Sequence, residues 1–231
     1  MHPQFHEACE LVRNHGFPLI VTTNGSQLSD SLKEAAIDQL NISLLSLSEE
    51  EFLKKNNVQL SYEKYLDSTV SFLKSPPSYE TNVYLFGNKS VYHPEYDDYY
   101  DLTIPDNQKR IQKFVHKINS EVSLPYPLPE TLEINDSVSL VRKRFTNWSH
   151  VTIPEHFKLN EAKSIPFCAN YLHTINILAN GEVLPCCADY DGVLSLGNIH
   201  RESLAELLAK KTGVKDLACN EFCRKCKGEV S

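Results

Sequence analysis

Apolar positions in the first 120 residues switch between a helical and an extended period. Phe5, Ala8, Cys9 and Val12 recur at helical spacing, and Gly16 supplies a C-terminal stop. Pro18 to Thr23 is a short β-branched run closed by Asn24-Gly25, the pattern of a buried strand and a turn. A helix is predicted next, with Ser29 as its N-cap and Leu32, Ala35, Ala36 and Leu40 on the inner face. Asn41 to Leu47 follows as a second apolar strand. Ser48 with Glu51 reads as a capping box at the head of a short helix. A longer helix is predicted from Ser61 to Lys74, with Tyr62, Tyr65, Leu66, Thr69 and Leu73 inward and Pro76-Pro77 as its stop. Asn82 to Phe86 is a third strand, and Ile111, Phe114, Val115 and Ile118 mark a helix after Asp106. The Pro-rich run from Leu124 to Pro129 is a stiff connection to a fourth strand, Ser137 to Phe145.

Strands alternating with helices of this length imply βα units and a parallel sheet, hence an α/β fold over residues 1–150. Four strands are too few to close a barrel of the eight-stranded type. Residues 151–166 read as a polar linker between Pro154 and Pro166, and a cysteine-rich module occupies 167–231. Within it, Asn180-Gly181 between Thr174–Leu178 and Val183–Cys186 is a strong hairpin signal. A two-residue type I′ turn with positive φ at both positions is expected there. Ser203 with Glu206 is another capping box, opening a short helix with Leu204, Leu207 and Leu208 as its apolar face.

Composition narrows the function classes. Of 231 residues, 41% are hydrophobic and 23% charged, which fits a globular chain and excludes collagen-like or wholly disordered classes. A net charge of −7 argues against non-specific nucleic-acid binding, which depends on neutralising phosphates. Phe17 to Val21, the longest apolar run near the start, is far short of the roughly 18 residues of a membrane span. It also lacks the basic flank of a secretory signal. The expected compartment is therefore the reducing cytoplasm, where clustered cysteines act as metal ligands rather than disulfides. The sequons at Asn41, Asn88, Asn135 and Asn147 carry no meaning there. The acidic and aromatic segment from Glu95 to Asp101 matches no calcium-loop template and reads as a solvated surface loop.

The cysteines carry the chemistry. Six of the seven fall in the last 64 residues, and Cys9, on an apolar helix face, reads as a small buried hydrophobe. The hairpin returns Cys186 towards the segment that begins after Cys168, and Cys223 with Cys226 forms a C-x₂-C clip. Cys168, Cys186, Cys223 and Cys226 are the natural four ligands, of a kind that suits an iron–sulfur cluster or a structural zinc. Neighbouring strand residues point to opposite faces, so only one of Cys186 and Cys187 should reach the site. Cys219 is a reserve for Cys223 or part of a second, incomplete site. Lys211, Lys215, Arg224, Lys225 and Lys227 lie near the clip, where their positive charge would offset a cluster held by four thiolates and would suit a Cys₄ zinc site equally.

At these residues the sequence resembles the SPASM domain, the auxiliary-cluster module of many radical SAM enzymes. Cys168, twelve residues, Gly181, four residues, Cys186 matches its opening. The run Cys187-Ala188-Asp189, Leu196-Gly197-Asn198-Ile199, Ser203-Leu204-Ala205-Glu206-Leu207 and Cys223/Cys226 follows in the family's order. The resemblance covers 168–227 and implies one auxiliary 4Fe–4S cluster rather than zinc. The earlier part is similar to the later portion of a radical SAM barrel: His2-Pro3-Gln4-Phe5 resembles the residues after the GGEP segment, and Leu19 to Gly25 resembles the strand ending in TNG. Ser43 stands where relatives place a polar residue near the SAM ribose, and Leu45 where many have Asp. Asn147-Trp148 resembles a segment common before the SPASM module.

One departure bears on mechanism. The family's C-x₃-C-x₂-C loop, which holds the SAM-cleaving cluster, has no counterpart in the sequence, so SAM cleavage by this chain alone is not expected. The resulting expectation is an incomplete (βα) barrel remnant joined to a SPASM-type module, with the modification of a peptide or small metabolite as the associated chemistry. A partner supplying the missing strands and the SAM cluster is expected with it. The rival readings are a zinc-stabilised, non-catalytic binding module and one piece of a split enzyme.

Overall fold

Four apolar runs read as strands come together in one sheet, and a fifth strand joins them. In the computed structural model the described residues are 2–44, 46–55, 60–86, 105–143, 159–189, 191–211, 216–227 and 229–230. They fall into two units, Met1–Phe145 and Thr146–Ser231. The segment 95–101, Leu45, Asn147-Trp148, Lys215 and the Glu51 side chain of the first capping box lie outside the described residues.

The sheet of the first unit contains β1 (Ile20–Thr23), β2 (Gln39–Ser43), β3 (Glu80–Phe86), β4 (Thr131–Asn135) and β5 (Val138–Lys143). Its order is β1-β2-β3-β5-β4, with β1, β2, β3 and β5 parallel and β4 antiparallel against β5. The four-strand expectation therefore missed β4. Its signal was the alternation of Leu132 and Ile134 with polar neighbours, hidden by its place after the Pro-rich connection. The Asn135 carboxamide oxygen accepts from the backbone N–H groups of Ser137 (3.2 Å) and Val138 (2.9 Å), which turns the chain from β4 into β5.

Register explains why the sheet has two unlike faces. Val21, Leu40, Thr81 and Val138 form one row across the strands, and Thr23, Ile42, Val83 and Leu140 form another on the same face. Between them runs Thr22, Asn41, Asn82 and Ser139 on the opposite face. The helices of this unit are α1 (Phe5–Asn14), α2 (Asp30–Lys33), α3 (Glu49–Lys55), α4 (Tyr62–Lys74) and α5 (Pro105–Ile118). Their buried side chains Cys9, Leu32, Phe52, Leu73 and Phe114 share one cluster with Leu40, Ile42, Val83 and Leu140. The helical layer thus lies on the apolar face. On the other, Asn41 accepts from Gln39 (2.7 Å) and Asn82 donates to Glu80 (2.8 Å).

Two local expectations shift. Leu40, read as helical, lies in β2, because pairing with β1 and β3 captures residues 39–43 and α2 ends at Lys33. Ser29 holds the N-cap position, yet its hydroxyl bonds Ser31 (2.9 Å) rather than a backbone N–H. Ser61 does cap α4, accepting from Lys64 N–H at 3.3 Å.

The second unit carries a three-stranded antiparallel sheet, β7 (Asn176–Ile177), β8 (Glu182–Leu184) and β9 (Gly197–Asn198), preceded by β6 (Leu159–Asn160) and α6 (Ala169–His173). It continues through α7 (Leu204–Lys211), a 3₁₀ turn (Leu217–Cys219), α8 (Glu221–Cys226) and β10 (Glu229–Val230), which pairs with β6. The hairpin is present, but its loop has three residues, not two. Leu178 N–H donates to Glu182 (2.8 Å) and Gly181 N–H to Leu178 (2.8 Å). Gly181 takes the left-handed conformation (φ 84°) and no described non-glycine residue does so, which excludes the type I′ turn at Asn180. Among the described residues no helix is long and apolar enough to cross a membrane.

Candidate iron–sulfur site

Three short elements of the second unit deliver the four candidate thiols. Cys168 occupies the N-cap position of α6, where its side chain makes no capping hydrogen bond. Cys186 follows β8 by two residues. Cys223 and Cys226 stand three apart on α8 and so share one face of that helix. The Asn220 side chain starts α8 by accepting from Phe222 N–H at 2.8 Å, and Phe222 packs with Cys186, Ala188 and Cys223. Cys223 also joins Cys168 against Ile165, Tyr171 and Leu217. These two small clusters bring α6, the end of β8 and α8 together.

The Cys186, Cys223 and Cys226 thiols are shifted by burial and by neighbouring thiols. Burial pushes the Cys223 thiol from 9.0 up to about 11, and Cys226, Cys186, Cys168 and Cys219 add to it in that order. Burial also pushes Cys186 up, reinforced by Cys187, Cys226 and Cys168 and opposed by a hydrogen bond from Ala188 N–H to its sulfur (3.5 Å). Cys226 is pushed up by burial, with Lys227 pulling it down and Cys168 and Cys187 raising it. All seven cysteines are free. Among the described residues no three Cys, His, Asp or Glu side chains are gathered closely enough to hold a single metal ion as they stand. The thiols are within electrostatic reach of one another without converging on one point.

Cys187 is exposed while Cys186 is buried. The reason is a turn, not the strand pleat: the chain leaves β8 at Leu184, and Asp189 N–H closes onto the Cys186 carbonyl at 3.2 Å. Cys219 is exposed at the end of the 3₁₀ turn. Cys9 is 2% exposed in the core of the first unit.

Two acidic residues that hold the site, Asp189 and Asp216, had no role assigned from sequence. Asp189 is fully buried, and its two carboxylate oxygens accept from Val193 N–H (2.8 Å) and Leu194 N–H (2.7 Å). That carboxylate folds the loop after Cys186 onto itself. Asp216 accepts from Ile165 N–H (2.8 Å), Ala218 N–H (2.9 Å) and the Ser164 hydroxyl (3.0 Å), tying the chain before Cys168 to the chain before Cys223. Donation from Ala218 and then Ile165 holds its carboxyl below the ordinary range. Arg224 does similar work, pairing with Glu161 at 2.9 Å and donating to Ala218 O at 3.0 Å. An acidic residue just before a short helical turn is the sequence signal that could have marked Asp216.

The Leu196-Gly197-Asn198 run has a physical explanation. Asn198 donates to Asn180 O (3.0 Å) and accepts from His200 N–H (2.9 Å), while Ile199 N–H reaches Gly181 O (3.0 Å), so the run clamps the hairpin loop. A Cβ on Gly197 would fall 2.7 Å from Leu207 and 2.1 Å from Glu202, and its φ is 132°. Ser203 and Glu206 form the expected capping box, with Ser203 N–H on Glu206 (2.9 Å) and Glu206 N–H on the Ser203 hydroxyl (3.3 Å). Of the expected apolar face of α7, Leu207 is buried while Leu204 and Leu208 are exposed.

Residues 168–227 match the SPASM family, an iron–sulfur cluster-binding domain. No curated protein is significantly similar to the chain. The matched span begins and ends around the four thiols gathered by α6, β8 and α8.

Proposed function

We propose that residues 168–227 bind one 4Fe–4S cluster through Cys168, Cys186, Cys223 and Cys226, in an auxiliary role within radical SAM chemistry on a peptide or small metabolite. The observation that carries this reading is the coincidence of the iron–sulfur family match with four free, mutually coupled thiols. The donor set fits the cluster: buried thiolates ligate iron–sulfur centres, and an N–H donated to a ligating sulfur favours its charged form. A cluster of this kind supplies electron transfer or an open iron for a substrate. A mononuclear zinc, at about 2.3 Å from each sulfur, would draw the sulfurs to about 3.8 Å of one another. The iron–sulfur family match, rather than the thiols themselves, favours the cluster over such a zinc. Cys187 and Cys219, both exposed, remain outside the set.

The first unit supports a place beside a catalytic partner. The adjacent parallel strands β1-β2-β3-β5 with helices on one face support the reading of this unit as a sector of a (βα) barrel. Among the described residues, antiparallel β4 ends the run on one side and β1 is an open edge, with Ile20 and nearby Phe17 exposed. Strands that pair with β1, and the SAM-cleaving cluster, are proposed to come from outside the described sheet, in another chain or segment.

Anaerobic reconstitution with ferrous iron and sulfide tests the cluster reading. About four irons and four sulfides per chain, with a brown colour, are expected. Replacing the four cysteines together by serine should abolish both. A colourless protein that takes up zinc, or iron content unchanged in the serine variant, overturns it. A monodisperse, stable monomer would overturn the proposed partner at β1.

A further inference from the structure

The cations near the clip differ in what already neutralises them. Arg224 is engaged by Glu161, and Lys225 by Glu221 at 2.6 Å. Lys227 is exposed to solvent. Lys211, the last residue of α7, is 9% exposed. Its ammonium donates to the carbonyl oxygens of Leu172 (3.3 Å) and Thr174, and it lies 5.7 Å from the centre of the Tyr171 ring. No carboxylate among the described residues pairs with it.

A buried cation without an anionic partner is costly, because neutral carbonyls return only part of the lost hydration. Among the described residues, the acidic group that acts on Lys211 is the Cys186 thiol. Burial pushes its ammonium down, and the Cys186 thiolate pushes it back up. Tyr171 in turn packs with Cys168 and Cys223. The carbonyls that hold the ammonium, at residues 172 and 174, belong to the segment between Cys168 and the hairpin. The cation is therefore fixed to the same short stretch that sets the position of two candidate ligands.

We propose that Lys211 is a positioning residue for the cluster, a fixed buried charge that offsets the negative thiolate-ligated core and holds its reduction potential up. This rests on the cluster reading above. Adding an electron makes the core more negative without making or breaking a bond, so a nearby fixed cation stabilises the reduced form more than the oxidised one.

The test uses the full chain, reconstituted anaerobically as wild type, Lys211→Met, Lys211→Gln and Lys211→Arg. Iron and sulfide are measured first, and the midpoint is then read by a mediated redox titration. Full iron content is expected in all four. The Met and Gln variants should be harder to reduce by at least tenfold in the one-electron constant, about 59 mV, with Arg close to wild type. Met and Gln variants loaded with iron and within twofold of wild type overturn the role of Lys211 and leave the cluster reading standing. Wild type that binds no iron and sulfide overturns both. Should Met and Gln variants fail to load, their iron-free stability decides. Iron-free variants as stable as wild type place the loss in the loaded state, as a charge role requires. Iron-free variants that are unfolded assign Lys211 to packing and overturn the proposal.

Discussion

Replacing Asp189 by alanine should loosen the loop that carries Cys186, by an amount that follows from two hydrogen bonds. The Asp189 carboxylate is fully buried and accepts from Val193 N–H at 2.8 Å and Leu194 N–H at 2.7 Å. Hydrogen bonds to a charged group contribute about 1.5–3 kcal/mol each, so the alanine variant should lose about 3–6 kcal/mol locally. The matched span has 60 residues, 168 to 227. At about 0.05–0.15 kcal/mol per residue, a unit of that size has about 3–9 kcal/mol in all. The loss is therefore comparable with the whole stability of the iron-free module. Asn at 189 keeps one acceptor oxygen and should lose roughly half as much. Amide hydrogen exchange at Val193 and Leu194 reads the local opening free energy directly, and release of iron to a chelator reads the consequence at Cys186. Opening free energies in D189A within about 0.5 kcal/mol of wild type, the range of an ordinary surface change, would refute the role given to this carboxylate.

Two further outcomes follow from other parts of the molecule. The Cys223 thiol is raised from 9.0 to about 11, chiefly by burial, so folding favours its protonated form. Its contribution to stability is complete below about pH 9 and is lost as pH rises through about 11. Denaturation of the iron-free protein should show that alkaline loss and the reconstituted protein should not, since bound thiolates have already given up their protons. In the first unit, the Thr81 hydroxyl sits on the apolar face of the sheet with no hydrogen-bond partner among the described residues. Thr81→Val should gain about 1 kcal/mol by removing it, raising Tm by about 2–4 °C, and a lower Tm would contradict the assignment.

The local pattern was sufficient wherever one periodicity or one cap dominated. It located α1, α4, α5, the parallel strands, the hairpin and the Ser203–Glu206 capping box, because amphipathic spacing and capping are properties of neighbouring residues. The six late cysteines and the SPASM-like run around them were equally local. What needed the tertiary structure was whatever depended on a distant partner. Leu40 belongs to a strand because β1 and β3 compete for it successfully. Strand β4 exists because β5 offers an antiparallel edge. The sequence placed Asp189 in the SPASM-like run and Lys211 among several cations near the clip, but only folding singles them out by burying them, one against two backbone donors and the other beside Cys186. Burial decides what a charge does, and burial is set by the whole chain rather than by its neighbours.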